Sequence, residues 1–193
     1  DVPAEAYKAL AAERGSVLEW LLEFCNLCWS SKSIPHDWAV ASVAMVYKKG
    51  DPGFCDNYRP ICLVSIANKI FATMLKQRLL DGGIDNVIWP SQFGFRQKCS
   101  TEDAIFVARR RIELARAQRN GSVSLLALDW KKAFDAMNVD SLLDALRRAG
   151  IPASFRNIVD GMLSARRFYV RDFGGISSES DQLTGISQGC TDR

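Results

Sequence analysis

The 193 residues are 48% hydrophobic and 24% charged, with a net charge of +3, a globular balance that excludes collagen-like and low-complexity classes. The length suits one domain, or a domain with part of a second. No uninterrupted apolar run reaches the roughly eighteen residues that cross a bilayer, so no membrane partner is expected.

The opening DVPAEAYKAL is too acidic and polar for a secretory signal and begins without Met. We therefore expect a segment of a longer product, intracellular (nucleus or cytoplasm) and not secreted. The run from residue 16 to residue 30 places Val17, Leu18, Leu21, Leu22, Cys25 and Cys28 at helical spacing and predicts an amphipathic helix. Cys25-x-x-Cys28 could contribute to a zinc site, but that needs four ligands, and there is one histidine and no second close cysteine pair. The core reading, with cysteine as a small hydrophobe, is the simpler one. The six scattered cysteines are expected to be reduced thiols.

AVASVAMVY (39–47) is rich in β-formers and predicts a strand, and KKGDPGFCDNYRP predicts a loop or hairpin tip. Residues 64–80 repeat at helical spacing through Ile66, Ile70, Met74 and Leu75. After the turn-rich DGGIDNVIWP, Ser100-x-x-Asp103 has the form of a capping box and starts a long helix with Arg109, Arg110, Arg111, Arg116 and Arg119, which Gly121 ends. Residues 41–120 hold thirteen basic and seven acidic groups, against three and six in 1–40 and nine of each in 121–193. That basic middle third fits a polyanionic partner, and equally a solvated helix face.

SVSLLALDW (122–130) predicts a buried strand that ends on Asp129. Asn138 or Asp140 can start the next helix, which Gly150 and Pro152 stop. Phe155, Ile158, Val159, Met162 and Leu163 form an i, i+3, i+4, i+7, i+8 stripe. RFYVRDF predicts a further strand with GG as its turn. The sum is an α+β arrangement with an acid at a strand end.

An acid there commonly caps the following turn. It could instead bind Mg²⁺ for phosphoryl transfer. The surrounding D-x-x-K-A-F-D, Asp129 to Asp135, resembles the first catalytic motif of reverse transcriptases, in the form found in non-LTR (LINE-type) retrotransposons. IPHDWAVASVAMVYKKGD with NYRPICL, then NKIFATMLKQRL, PSQFGFRQKCSTEDAI and GISQGC resemble further blocks of that family, in the same order.

The resemblance implies a right-hand polymerase fold, here fingers plus incomplete palm, with an antiparallel sheet packed with helices. The fingers and N-terminal helices would span 1–121 and the partial palm 122–193. By the same resemblance Asp129 would be the catalytic metal ligand, joined by the backbone carbonyl of Trp130, with Mg²⁺ (or Mn²⁺) as cofactor. Lys48 or Lys49 and Arg59 would contact the triphosphate, the guanidinium through its bidentate fork. Phe134 would be the steric gate that leaves no room for a 2′-hydroxyl, favouring deoxynucleoside triphosphates; otherwise it is a core phenylalanine. Asp135 would organise the turn or the helix start. Gln188 would pack beside the incoming nucleotide, with Gly189 allowing close approach. Arg96 and Lys98 would meet the RNA template and DNA primer.

The sequence also departs from the family. Thr191-Asp192-Arg193 follows Cys190 where the family continues with proline, and no Asp-Asp dipeptide occurs. We therefore expect these 193 residues alone to be inactive. Two alternatives stand beside the leading one: a group II intron-type reverse transcriptase, and a catalytically dead remnant that binds nucleic acid.

Overall fold

The structure, a computed structural model, describes residues 2–13, 15–164, 166–172 and 174–187. It divides into two compact units, residues 1–77 with 132–193, and residues 78–131.

The first unit opens with helices α1 (Ala4–Glu13) and α2 (Ser16–Ser31). The stripe expected on α2 buries Cys25 and Cys28. That helix stops where Lys32 takes a left-handed conformation, φ 57°, and Lys32 Nζ donates to the Trp29 carbonyl. The short helix α3 (His36–Ala39) follows Pro35, whose fixed φ suits a helix start, and leads into strand β1 (Val40–Tyr47). Ala41 and Val43 alternate into the core, as a half-buried strand requires.

Strand β2 (Tyr58–Leu63) returns antiparallel, from Tyr47↔Tyr58 to Ser42↔Leu63. It begins inside the stretch expected to be loop, and it contains Pro60. Proline lacks a ladder donor, and β2 tolerates it as the edge of the sheet order β2-β1-β3-β4. Helix α4 (Ile66–Asp81) starts under a bond from the Asn68 N–H to Ser65 Oγ (3.2 Å) and buries Asn68, Phe71 and Leu75.

Helices α6 (Val139–Arg148) and α7 (Ala153–Leu163) pack on each other. Asn138 caps α6 by accepting from the Ser141 N–H at 2.9 Å, which decides between the two expected starts. The α7 stripe buries Phe155 and Ile158. Strand β3 (Arg167–Asp172) then pairs with β1, Val40↔Arg167 through Ala44↔Arg171, and that pairing is parallel. Strands β4 (Gly175–Ile176) and β5 (Ser180–Asp181) both pair antiparallel with β3. The sheet is thus mixed rather than wholly antiparallel. Its parallel pair is possible because the long crossover from β1 to β3 contains helices.

An aromatic chain marks the core of this unit. Trp38 meets Phe24 edge-on at 5.7 Å and Phe71 at 5.8 Å, and Trp29 meets Phe155 edge-on at 5.8 Å. Gly161 lets α7 approach the end of α2 so closely that a Cβ there would lie 2.9 Å from the Lys32 carbonyl oxygen.

The second unit holds the end of α4, a loop and helix α5 (Thr101–Ala117). The capping box is present: the Asp103 N–H donates to Ser100 Oγ, and the Ser100 N–H donates to Asp103 Oδ2. The helix ends at Ala117, short of the expected Arg119 and Gly121, because Gln118 turns to an extended conformation, and no residue of α5 is buried. The strand expected over 122–130 is absent, and the segment is irregular and exposed, with Leu125, Leu126 and Leu128 each 77–80% exposed. The physical reason is that a strand exists only as part of a ladder, and no described residue supplies one here. Among the described residues no helix is long and apolar enough to cross a membrane.

Candidate active site

The β1–β2 hairpin carries Lys48, Lys49 and Arg59. Its tip is laced by its own polar groups: Gly53 N–H donates to Asp51 Oδ1 at 2.8 Å, Asn57 Nδ2 to the Asp51 carbonyl at 2.7 Å, and Tyr58 Oη to the Pro52 carbonyl at 3.0 Å. The Lys48 N–H closes the loop on the Asn57 carbonyl at 2.8 Å. Gly50, at φ +99°, leaves room for Asn57, whose Nδ2 would lie 2.8 Å from any added Cβ. The three cations are therefore exposed on a fixed hairpin, with Arg59 opposite Val46 in the ladder.

The turn over 131–136 carries Phe134 and Asp135. The Ala136 N–H closes it on the Lys132 carbonyl at 2.9 Å, with Lys132 itself left-handed at φ 50°. Lys132 Nζ pairs with Asp56 Oδ1 at 3.1 Å, which ties the turn to the hairpin just described. On its other side the Ile186 N–H donates to the Phe134 carbonyl at 2.8 Å, and the Gly185 N–H to the Met137 carbonyl at 2.7 Å. Gly185 has φ +81°, and a Cβ there would lie 2.8 Å from Asp135 Cα. Phe134 emerges 42% exposed, a partly open aromatic rather than a core one. Gly185, Asp56 and Lys132 are the members that sequence reasoning missed. The glycine was visible in GISQGC, but only its close approach to the turn gives it a role.

In the second unit, Asp129 and Trp130 lie on the exposed segment, Trp130 at 85% exposure. Arg96 bends its guanidinium onto its own loop, Nη1 donating to the Trp89 and Gln92 carbonyls at 3.3 and 3.4 Å. Lys98 is exposed, with φ 60°. Along α5, Glu113 accepts from Arg109 at 2.9 Å and Arg110 at 2.6 Å. Those two bonds, from Arg109 first, hold its carboxyl below the usual carboxylate range. Part of the arginine cluster thus serves the helix itself. Gln188 and Gly189 lie outside the described residues.

Among the described residues no three His, Cys, Asp or Glu side chains gather where a metal ion could sit. One carboxylate and a neighbouring carbonyl do not make a site for two divalent cations, each of which wants six or so oxygen ligands. The described residues alone do not fit the pair of ions.

Comparison with known proteins bears on what such a site is for. Residues 46–192 match the family described as "Reverse transcriptase (RNA-dependent DNA polymerase)". The chain is 30% identical over 157 residues to a Drosophila melanogaster protein named "Probable RNA-directed DNA polymerase from transposon BS", covering 80% of this chain and 17% of the relative. It is 29% identical over 181 residues to the corresponding protein "from transposon X-element" of the same species, covering 93% and 20%. A Popillia japonica "Retrovirus-related Pol polyprotein from type-1 retrotransposable element R2" is 28% identical over 157 residues, covering 81% and 22%. The chain therefore spans about a fifth of the length of these relatives.

Proposed function

The chain belongs to the reverse transcriptase (RNA-dependent DNA polymerase) family, in its non-LTR retrotransposon branch, and on that premise we propose that it is the fingers and partial palm of a polymerase that copies RNA into DNA. Residues 1–121 would be N-terminal helices and fingers, and 122–193 the partial palm. The protein would act inside the cell, in nucleus or cytoplasm, on RNA template, DNA primer and deoxynucleoside triphosphates.

The observation that carries this reading is the contact of the Phe134 turn with the hairpin of Lys48, Lys49 and Arg59 through the exposed ion pair of Lys132 and Asp56. That contact gathers an aromatic ring and three exposed cations in one unit. A triphosphate needs cations for its oxygens, and Arg59 supplies a planar fork suited to them. The sugar of the same nucleotide needs a wall, and a fixed ring that fills the 2′ position disfavours ribonucleotides. Gln188 and Gly189 would border the same nucleotide, while Arg96 and Lys98 would touch the template–primer backbone. Reverse transcriptases generally use divalent metal ions. Mg²⁺, replaceable by Mn²⁺, is proposed here, with Asp129 and the Trp130 carbonyl as part of its ligand set and further ligands from outside the described residues.

The test is primer extension on an RNA template with Mg²⁺. The full-length polymerase bearing this segment should extend, and Asp129→Ala should lower extension by at least about a thousandfold, as expected when charge stabilisation at the reacting centre is lost. The 193 residues alone should not extend a primer. An Asp129→Ala polymerase of undiminished rate would end the reading.

A further inference from the structure

Resting on the reading of Phe134 as the sugar gate, we propose that Arg166 is a positioning residue for that gate, acting through Gly185, and so sets discrimination between deoxy- and ribonucleotides. Arg166, the residue before β3, is 7% exposed and takes no place in the chemistry described above. Its Nε donates to the Leu163 carbonyl at 2.9 Å, at the end of α7, and its Nη2 donates to the Gly185 carbonyl at 2.5 Å. One planar guanidinium thus spans from a helix end to the bend that follows β5. The Gln182 N–H returns a bond to the Arg166 carbonyl at 2.8 Å, so the run is tied to this residue at both ends.

Gly185 passes the constraint on. Its own N–H holds the Met137 carbonyl, and the next residue holds the Phe134 carbonyl. The left-handed glycine lies against Asp135 with no space for a side chain. A shift of the Gly185 peptide therefore moves both carbonyls that bracket the gate. The gate must be fixed to within a fraction of an ångström for a methylene-sized difference at the sugar to matter, and small misplacements far from the reacting atoms are enough to lose selectivity. Arginine suits this task because its fork is rigid, charged at all relevant pH and reaches two carbonyls at once. Lysine keeps the charge and loses the fork.

The variants are Arg166→Lys, Phe134→Val and their combination, in the full-length polymerase. The measured quantity is kcat/KM for a deoxynucleotide over that for the matching ribonucleotide, with amide exchange over 132–138 and 183–187 as a second readout. Arg166→Lys should reduce discrimination roughly three- to tenfold, the scale of one ordinary net hydrogen bond, and quicken exchange in both segments. In the Phe134→Val background it should reduce discrimination no further.

Unchanged discrimination in Arg166→Lys, with Phe134→Val lowering it, overturns the positioning role and leaves the gate standing. A drop in kcat/KM for both nucleotides alike, at a constant ratio, likewise overturns it in favour of a merely structural role. If Phe134→Val itself leaves the ratio unchanged, the gate reading falls and Arg166's specificity role with it, even if exchange quickens. Arg166→Gln, scored in the same assays, guards against a lysine that simply fails to fold.

Discussion

Two stretches of this chain look alike on paper and differ in space. AVASVAMVY and SVSLLALDW are both short, β-prone and apolar. The first becomes β1, paired on one side with β2 and on the other with β3. The second finds no partner among the described residues, and its leucines stand in solvent. Composition sets what a segment can do, and only a ladder partner makes it a strand. The same contrast holds for helices. The stripe on α7 buries Phe155 and Ile158, whereas α5 keeps Ile105 and Phe106 exposed at 66% and 63%.

The largest expected effect breaks that comparison at its packed end. Phe71 is 2% exposed and touches Trp38 across 5.8 Å. Phe71→Ala should destabilise the 193-residue chain by about 3 to 5 kcal/mol, the usual cost of a large cavity. Leu126→Ala, at 80% exposure, should change stability by less than about 0.5 kcal/mol. Urea melts of the two variants check this. A Leu126 variant as damaged as the Phe71 variant would mean that the segment is packed in solution.

How much was legible follows the same line. Local chemistry announced the capping box of α5, the α7 stripe and the Cys25–Cys28 face of α2, because each depends on residues within one or two turns. The mixed sheet was not legible, since β1 meets β3 across more than a hundred residues of chain and neither strand encodes its partner's direction. The motifs' resemblance to the family pointed to Phe134, Arg59 and Asp129 as candidates. It gave no sign of Lys132 with Asp56, because a salt bridge between residues 76 apart leaves no local pattern. Gly185 hid for a related reason: its lack of room for a side chain comes from Asp135, which lies 50 residues earlier in the chain.

A smaller effect sharpens the comparison inside the packed unit. Arg59 is exposed on the edge strand β2, so its loss should leave the fold intact. In the full-length polymerase Arg59→Ala should weaken nucleotide use by about 2 kcal/mol, roughly thirtyfold, as for a charged phosphate contact. Template–primer affinity should hardly move. Single-turnover incorporation and nucleic-acid titration separate the two, and the reverse pattern would make Arg59 a nucleic-acid contact.

The smallest effect is a rate rather than an energy, and it reads burial directly. Cys25, 2% exposed, and Cys28 are buried on α2, whereas Cys55 is exposed at the hairpin tip. Burial pushes the Cys25 thiol above its ordinary range, with the neighbouring Cys28 adding to the shift, and burial likewise raises Cys28. The thiolate is the reactive form, so both raised thiols have less of it at neutral pH, on top of being out of reach. With a maleimide at pH 7, Cys55 should be modified first, and Cys25 and Cys28 only as fast as α2 opens. Raising the pH to 9 should do little for the buried pair, whose labelling waits on opening of the core. Mild urea should quicken the buried pair while leaving Cys55 near its starting rate. Peptide mass spectrometry over a time course assigns each site, and prompt labelling of Cys25 in native buffer would mean that α2 does not rest on this core.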